Sequence, residues 1–259
     1  MRSVRACSAL LAIVLAATLA PHADAQERRI FGESGGGFGF TLDTGSVALD
    51  SSSRGAGNVL NAITATELSN IRVKAYPKMS AKWDKGIAYV CWENPKDVDE
   101  SKREIVKKAA MDSWVANSKL KLRGWKTCVD KSIGIRIKIE DTGPYVKFLG
   151  NEVDGIKDGM VLNFTFANWS QVCKTMVEEC IRKIAVHEFG HAIGFAHEQN
   201  RPDKPGECYE IAQGENGDIM LTDWDKDSVM NYCNEKYAND GTLSKFDIKA
   251  VQVIYGAPS

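Results

Sequence analysis

The chain is 259 residues long, with 44% hydrophobic residues and Lys+Arg 33 against Asp+Glu 34. That is enough apolar material for one domain with a sizeable core. A net charge of −1 gives no electrostatic case for capturing nucleic acid or anionic lipid, and neither is expected as a partner.

At the start of the chain, Arg2 and Arg5 precede an apolar run from Ala9 to Ala20, and Ala23-Asp24-Ala25 offers a small-x-small cleavage site. Residues 1–25 therefore read as a signal peptide and the mature protein as secreted. The run is well short of the ~20 apolar residues that a membrane span needs, and no later segment is apolar enough to serve. Residues 26–80 read as a flexible propeptide or linker, Gly32 to Gly57 being rich in Gly, Ser and Asp. Beyond the leader stand Cys91, Cys128, Cys173, Cys180, Cys208 and Cys233. An even count in a secreted chain reads as disulfides, and no Cys-x-x-Cys suggests a metal cluster of their own. Of the fifteen pairings that six cysteines allow, the expectation is Cys91–Cys128, Cys173–Cys180 and Cys208–Cys233.

Residues 81–259 read as the functional domain. Asp99 to Ser118 has the apolar spacing of an amphipathic helix, with Ile105, Ala109, Met111 and Val115 on one side. Ile133, Ile135, Ile137 and Ile139 alternate with other residues, which predicts a half-buried strand. Met160 to Trp169 is a second β-rich run, carrying sequons at Asn163 and Asn168 that read as coincidental. A helix is predicted from Thr175, with Glu178 completing a capping box and Val177, Ile181, Ile184 and Ala185 facing the core. After Gly194 the chain is rich in Gly, Asp, Asn and Pro and should be irregular. A last helix is predicted from Phe246 to Tyr255, flagged by Ser244, Asp247 and Gly256.

The chemistry lies at the end of the Thr175 helix, in His187-Glu188-Phe189-Gly190-His191-Ala192-Ile193-Gly194-Phe195-Ala196-His197. Histidines four apart share a helix face and can grip one zinc ion. Gly194 can take a positive φ, stop the helix and let the chain bring back His197 as a third ligand. Three protein ligands leave a fourth zinc position open, which marks a catalytic rather than a structural site. Glu188, beside the first ligand, is placed to act as a general base toward water there. Apart from His22 in the leader, all the histidines of the chain belong to this motif.

HExxHxxGxxH resembles the metzincin clan of zinc endopeptidases, and the run from His187 to Asp203, with Phe195, Glu198, Arg201 and Asp203, resembles the astacin family. Ser228-Val229-Met230-Asn231-Tyr232 is similar to the methionine turn beneath the metal, with Asn231 where histidine is usual. The resemblance implies an α+β metzincin (zincin-like) fold. Its upper lobe would hold a twisted mixed sheet and the active-site helix, and its irregular lower lobe the methionine turn and C-terminal helix. It implies one catalytic zinc, Tyr232 as a movable fifth ligand, a buried structural role for Glu198, and a monomer acting on protein or peptide substrates. Trp83 to Glu93 resembles the opening strand of such domains, and Val161 to Phe166 the edge strand that pairs with substrate. A propeptide of this type presents an aspartate to the zinc, for which Asp43 and Asp50 are the candidates. Two other readings stay open: a zinc amidase of cell-wall peptides, and an inactive secreted binding protein on the same fold, against which the intact Glu188 argues.

Overall fold

A computed structural model describes residues 75–221 and 223–259. Residues 1–25, read as a signal peptide, together with Asp43, Asp50 and all but the end of the 26–80 segment, lie outside the described residues. Packing nevertheless reaches back to Ala75, which is buried in the main core.

The sheet has five strands: β1 Ile87–Trp92, β2 Lys121–Thr127, β3 Ile135–Ile139, β4 Tyr145–Val146 and β5 Met160–Leu162, in the spatial order β2-β1-β3-β5-β4. All neighbours run parallel except β4, which is antiparallel to β5. Strand alternation puts Ala88, Val90, Trp92, Leu122, Ile135, Ile137, Met160 and Leu162 into one buried cluster. The helices α1 Glu100–Ala110 and α2 Val177–Ala192 pack against each other, and α2 also contacts β4 and β5. The predicted Asp99–Ser118 helix is thus α1 continued by a π-helical turn, Met111–Val115. That turn carries Trp114, wholly buried, whose indole donates to Val186 O in α2 at 2.8 Å.

Three expectations need correcting. β5 is an interior strand, so Val161 to Phe166 is not the sheet edge; the edge is β4, too short for any periodicity to betray it. A fully buried Met-Val-Leu run suits a central strand, and the chain leaves the sheet at Asn163, whose side chain accepts from Thr165 and Phe166 N–H. That same Asn163 is 1% exposed, which leaves no room for a glycan. Next, α2 starts at Val177 without a side-chain cap, because the Thr175 hydroxyl instead donates to Val172 O. Finally, the Ile133 strand begins only at Ile135, Ile133 remaining 59% exposed.

The disulfides are Cys91–Cys128, Cys173–Cys180 and Cys208–Cys233, as the sequence reading has them. The C-terminal helix α3, Lys245–Tyr255, opens with the Ser244/Asp247 capping box and ends before Gly256. No helix among the described residues is long and apolar enough to cross a membrane.

Candidate metal centre and cleft

α2 delivers His187, Glu188 and His191 from its last turns, all buried. Carbonyls at its C-terminal end are taken up from outside the helix: Trp83 Nε1 donates to Ala192 O and Tyr255 Oη to Ile193 O, each at 2.7 Å. Gly194 then turns the chain at φ +106°, a value a side chain would resist. The strand-like stretch that follows is held by Lys78 N–H on Gly194 O and Ala196 N–H on Tyr76 O, so that His197 returns over the helix end.

The three imidazoles converge through Nε2, with His197 Nε2 3.2 Å from that of His187 and 3.1 Å from that of His191. Each Nδ1 lies against a backbone carbonyl: His187 on Val229 O at 2.7 Å, His191 on Phe195 O at 2.8 Å, His197 on Gln213 O at 2.9 Å. A carbonyl can only accept, so every Nδ1 carries the proton and every Nε2 presents a lone pair to the same point. Three acceptors cannot satisfy one another; a cation between them would. Two ligands at about 2.05 Å on a tetrahedral zinc stand about 3.3 Å apart, close to the spacing seen. These residues fit a zinc ion. Burial pushes the imidazoles toward the neutral form that a ligand must have, His187 down to about 3, with His191 adding to the effect, and His191 down to about 4.

Glu188 is 2% exposed and its Oε2 has no hydrogen-bond partner. Burial alone pushes its carboxyl up to about 8, and a divalent cation beside it would pull the other way. Tyr232 places its hydroxyl 3.3 Å from His187 Nε2, its ring stacked on that imidazole at 5.2 Å. The turn that carries it is fixed from below, Asp247 accepting from Ser228 Oγ at 2.7 Å and from Val229 N–H at 3.0 Å. Met230 packs on Gly190, where an added Cβ would stand 2.3 Å from its sulfur. Glu198, 1% exposed, lies 3.4 Å from the guanidinium of Arg201, a local arginine that also pairs with Asp203.

A cleft of about 410 Å³ opens onto Glu188, His191, His197 and Tyr232. β4 and the residues up to Leu149 form one rim, and Gln213 to Glu215 the other. Behind Tyr232, and outside the cleft lining, Ala238, Asn239 and Asp240 run consecutively at φ 46°, 44° and 53°. Asn239 and Asp240 tolerate left-handed geometry, whereas at Ala238 it costs roughly 1–2 kcal/mol, so the strain of this turn centres on Ala238.

Sequence reasoning supplied the histidines, Glu188 and Tyr232, and the structure brings all five together. It missed the rim strand β4, the carbonyls of Phe195, Gln213 and Val229, and the support from Trp114. Backbone acceptors leave no mark in a sequence, and only the apolar bulk of Trp114 was there to read.

No family model matches the chain. It is 32% identical over 87 residues to bone morphogenetic protein 1 of Xenopus laevis, covering 27% of this chain and 12% of that protein. It is 35% identical over 69 residues to tolloid-like protein 1 of Homo sapiens, covering 21% of this chain and 7% of the other. The matches thus span a small part of those relatives. Among solved structures, myroilysin aligns at TM-score 0.49 and 18% identity over 71% of this chain and 100% of its own. High choriolytic enzyme 1, a hatching enzyme zinc-protease from Oryzias latipes (Medaka fish), aligns at TM-score 0.46 and 18% identity, covering 68% and 94%. With its extended motif from His187 to Asp203 and its three histidines closed on one point, the chain is similar to astacin-type metzincins in this segment.

Proposed function

We propose that the chain is a secreted zinc endopeptidase that cleaves protein substrates in this cleft. His187, His191 and His197 hold the ion, Glu188 is the general base, and Tyr232 is a further, movable ligand. The observation that carries the reading is the tautomer lock, three carbonyls aiming three Nε2 lone pairs at one point beside a buried carboxylate whose Oε2 has no partner. When bound, zinc supplies Lewis acidity toward a peptide carbonyl and lowers the pKa of a water to around 7. Glu188 takes the proton of the attacking water and passes it to the leaving amine. The Tyr232 hydroxyl donates to the oxyanion as the tetrahedral centre forms. An extended substrate pairs with the free edge of β4 at Tyr145 and Val146, which line the cleft. Three disulfides support an extracellular setting, with residues 1–25 as leader, 26–80 as a propeptide or linker, and 81–259 as the catalytic domain, to which Ala75 to Ser80 add packing.

The test is casein digestion by the purified protein, with and without a chelator, beside Glu188→Gln. Digestion should stop with the chelator, and the variant should be inactive while retaining zinc near one per chain. Wild-type digestion in chelator, or digestion of purified cell wall but not casein, would refute the endopeptidase. Zinc lost together with activity in Glu188→Gln would refute the general-base assignment alone.

A further inference from the structure

The left-handed turn over Ala238 to Asp240 is held from several sides, and what it delivers is one ring. Arg182 Nη2 donates to Asp240 O at 2.8 Å, and Lys183 reaches the Asp240 carboxylate at 2.8 Å, so the turn is fastened to α2, the helix that carries the histidines. Asn239 closes it locally, its amide donating to Thr242 O at 2.8 Å. The residue entering this turn is Tyr237, 3% exposed. Its ring stacks on Tyr232 at 6.1 Å and 21°, and lies 5.9 Å from the His187 ring. Both separations fall in the range of interacting aromatic pairs. The rings of His187, Tyr232 and Tyr237 thus form a triangle, each in contact range of the other two. Tyr237 does not line the cleft. Strain that persists in a fold points to a function for what it positions.

We propose that Tyr237 is a positioning residue for Tyr232: the strained turn sets its ring as a backstop that returns the Tyr232 phenol to one place beside His187. This rests on the role given to Tyr232 above. A hydroxyl that donates only in the transition state is sensitive to placement, since an error near 1 Å can cost on the order of a hundredfold in rate. A ring packed on Tyr232 from outside the cleft lining limits that error.

The experiment is a double-mutant cycle of Tyr237→Leu and Tyr232→Phe, read by kcat, KM, zinc content and thermal midpoint. Tyr237→Leu should lower kcat about tenfold or more, with KM within about twofold and zinc content unchanged. Tyr237→Phe, which keeps the ring, should restore kcat. In the Tyr232→Phe background Tyr237→Leu should have no further effect on kcat. An equal fall in both backgrounds would mean general support of the fold and would overturn the proposal, as would wild-type kcat in Tyr237→Leu. If Tyr237→Leu does not fold, Asp240→Asn loosens the turn while keeping the ring, and must show the same coupling: a fall in kcat that disappears with Tyr232→Phe. If Tyr232→Phe alone has wild-type kcat, the backstop has nothing to position and is refuted, while chelator-sensitive casein digestion leaves the peptidase standing.

Discussion

Gly190→Ala sets two effects against each other, and the structure decides between them. In an exposed helix the change would stabilise by about 1 kcal/mol, because glycine is the poorer helix former. Here the new Cβ would sit 2.3 Å from Met230 Sδ, 3.1 Å from its Cε and 3.1 Å from Trp114 Cζ2. Non-bonded carbon contacts lie at about 3.5–4.0 Å, so the sulfur would have to retreat by more than about 1 Å. A methionine can usually bend away, but Met230 is 1% exposed and Trp114 wholly buried, so the retreat must move the turn itself. A contact this close belongs in the upper part of the overpacking range, about 2–3 kcal/mol, which exceeds the helix gain. The expected net loss of about 1–2 kcal/mol corresponds to a thermal midpoint lower by about 2–8 °C for a domain of this size. The moved turn also carries Val229, whose carbonyl holds His187, so zinc should dissociate about tenfold more readily in competition with a chelator. Adding Met230→Ala should relieve the clash, making the double variant about 1–3 kcal/mol better than the sum of the singles. A Gly190→Ala protein that melts at or above wild type with unchanged zinc affinity would refute the reasoning.

Other outcomes follow from the same contacts. Replacing both Cys208 and Cys233 by Ser removes a crosslink spanning 25 residues, worth about 3–4 kcal/mol by chain entropy, and should lower the urea midpoint. An unchanged midpoint would mean that the surrounding packing alone holds the methionine turn. Arg201 holds Asp203 below the usual carboxylate range, and Lys183 does the same for Asp240. A depressed carboxyl contributes stability above its unfolded value of about 3.9 and loses it as pH falls through the folded one. The stability gap between wild type and Asp203→Asn/Asp240→Asn should therefore be full at pH 5–7 and close below about pH 4. A gap independent of pH in urea titrations would count against both pairs.

How far the sequence could be read depended on whether a residue acted through its type or through its backbone. His187 and His191 were legible because a helix repeats every 3.6 residues, and His197 because Gly194 between them permits the return at φ +106°. Ser244 and Asp247 were legible as a capping box, but that box conceals a second task. The Asp247 oxygen that accepts Ser244 N–H also accepts Val229 N–H, and Val229 O fixes His187. A chain of contacts thus runs from the last helix to the metal centre through a peptide unit to which any residue could contribute. β4 was hidden for the opposite reason: Tyr145-Val146 is too short for alternation, and only its pairing with β5 makes it a strand. The apolar run at Met160 attracted the edge-strand assignment that belonged to its neighbour. Burial on both faces produces such a run, whereas a short edge strand carries none. The same logic applies to Tyr237. Asn-Asp-Gly tolerates left-handed backbone, but nothing in the sequence says that Ala238 joins it or that Arg182 and Lys183, more than fifty residues earlier, fasten the turn to the helix of the histidines.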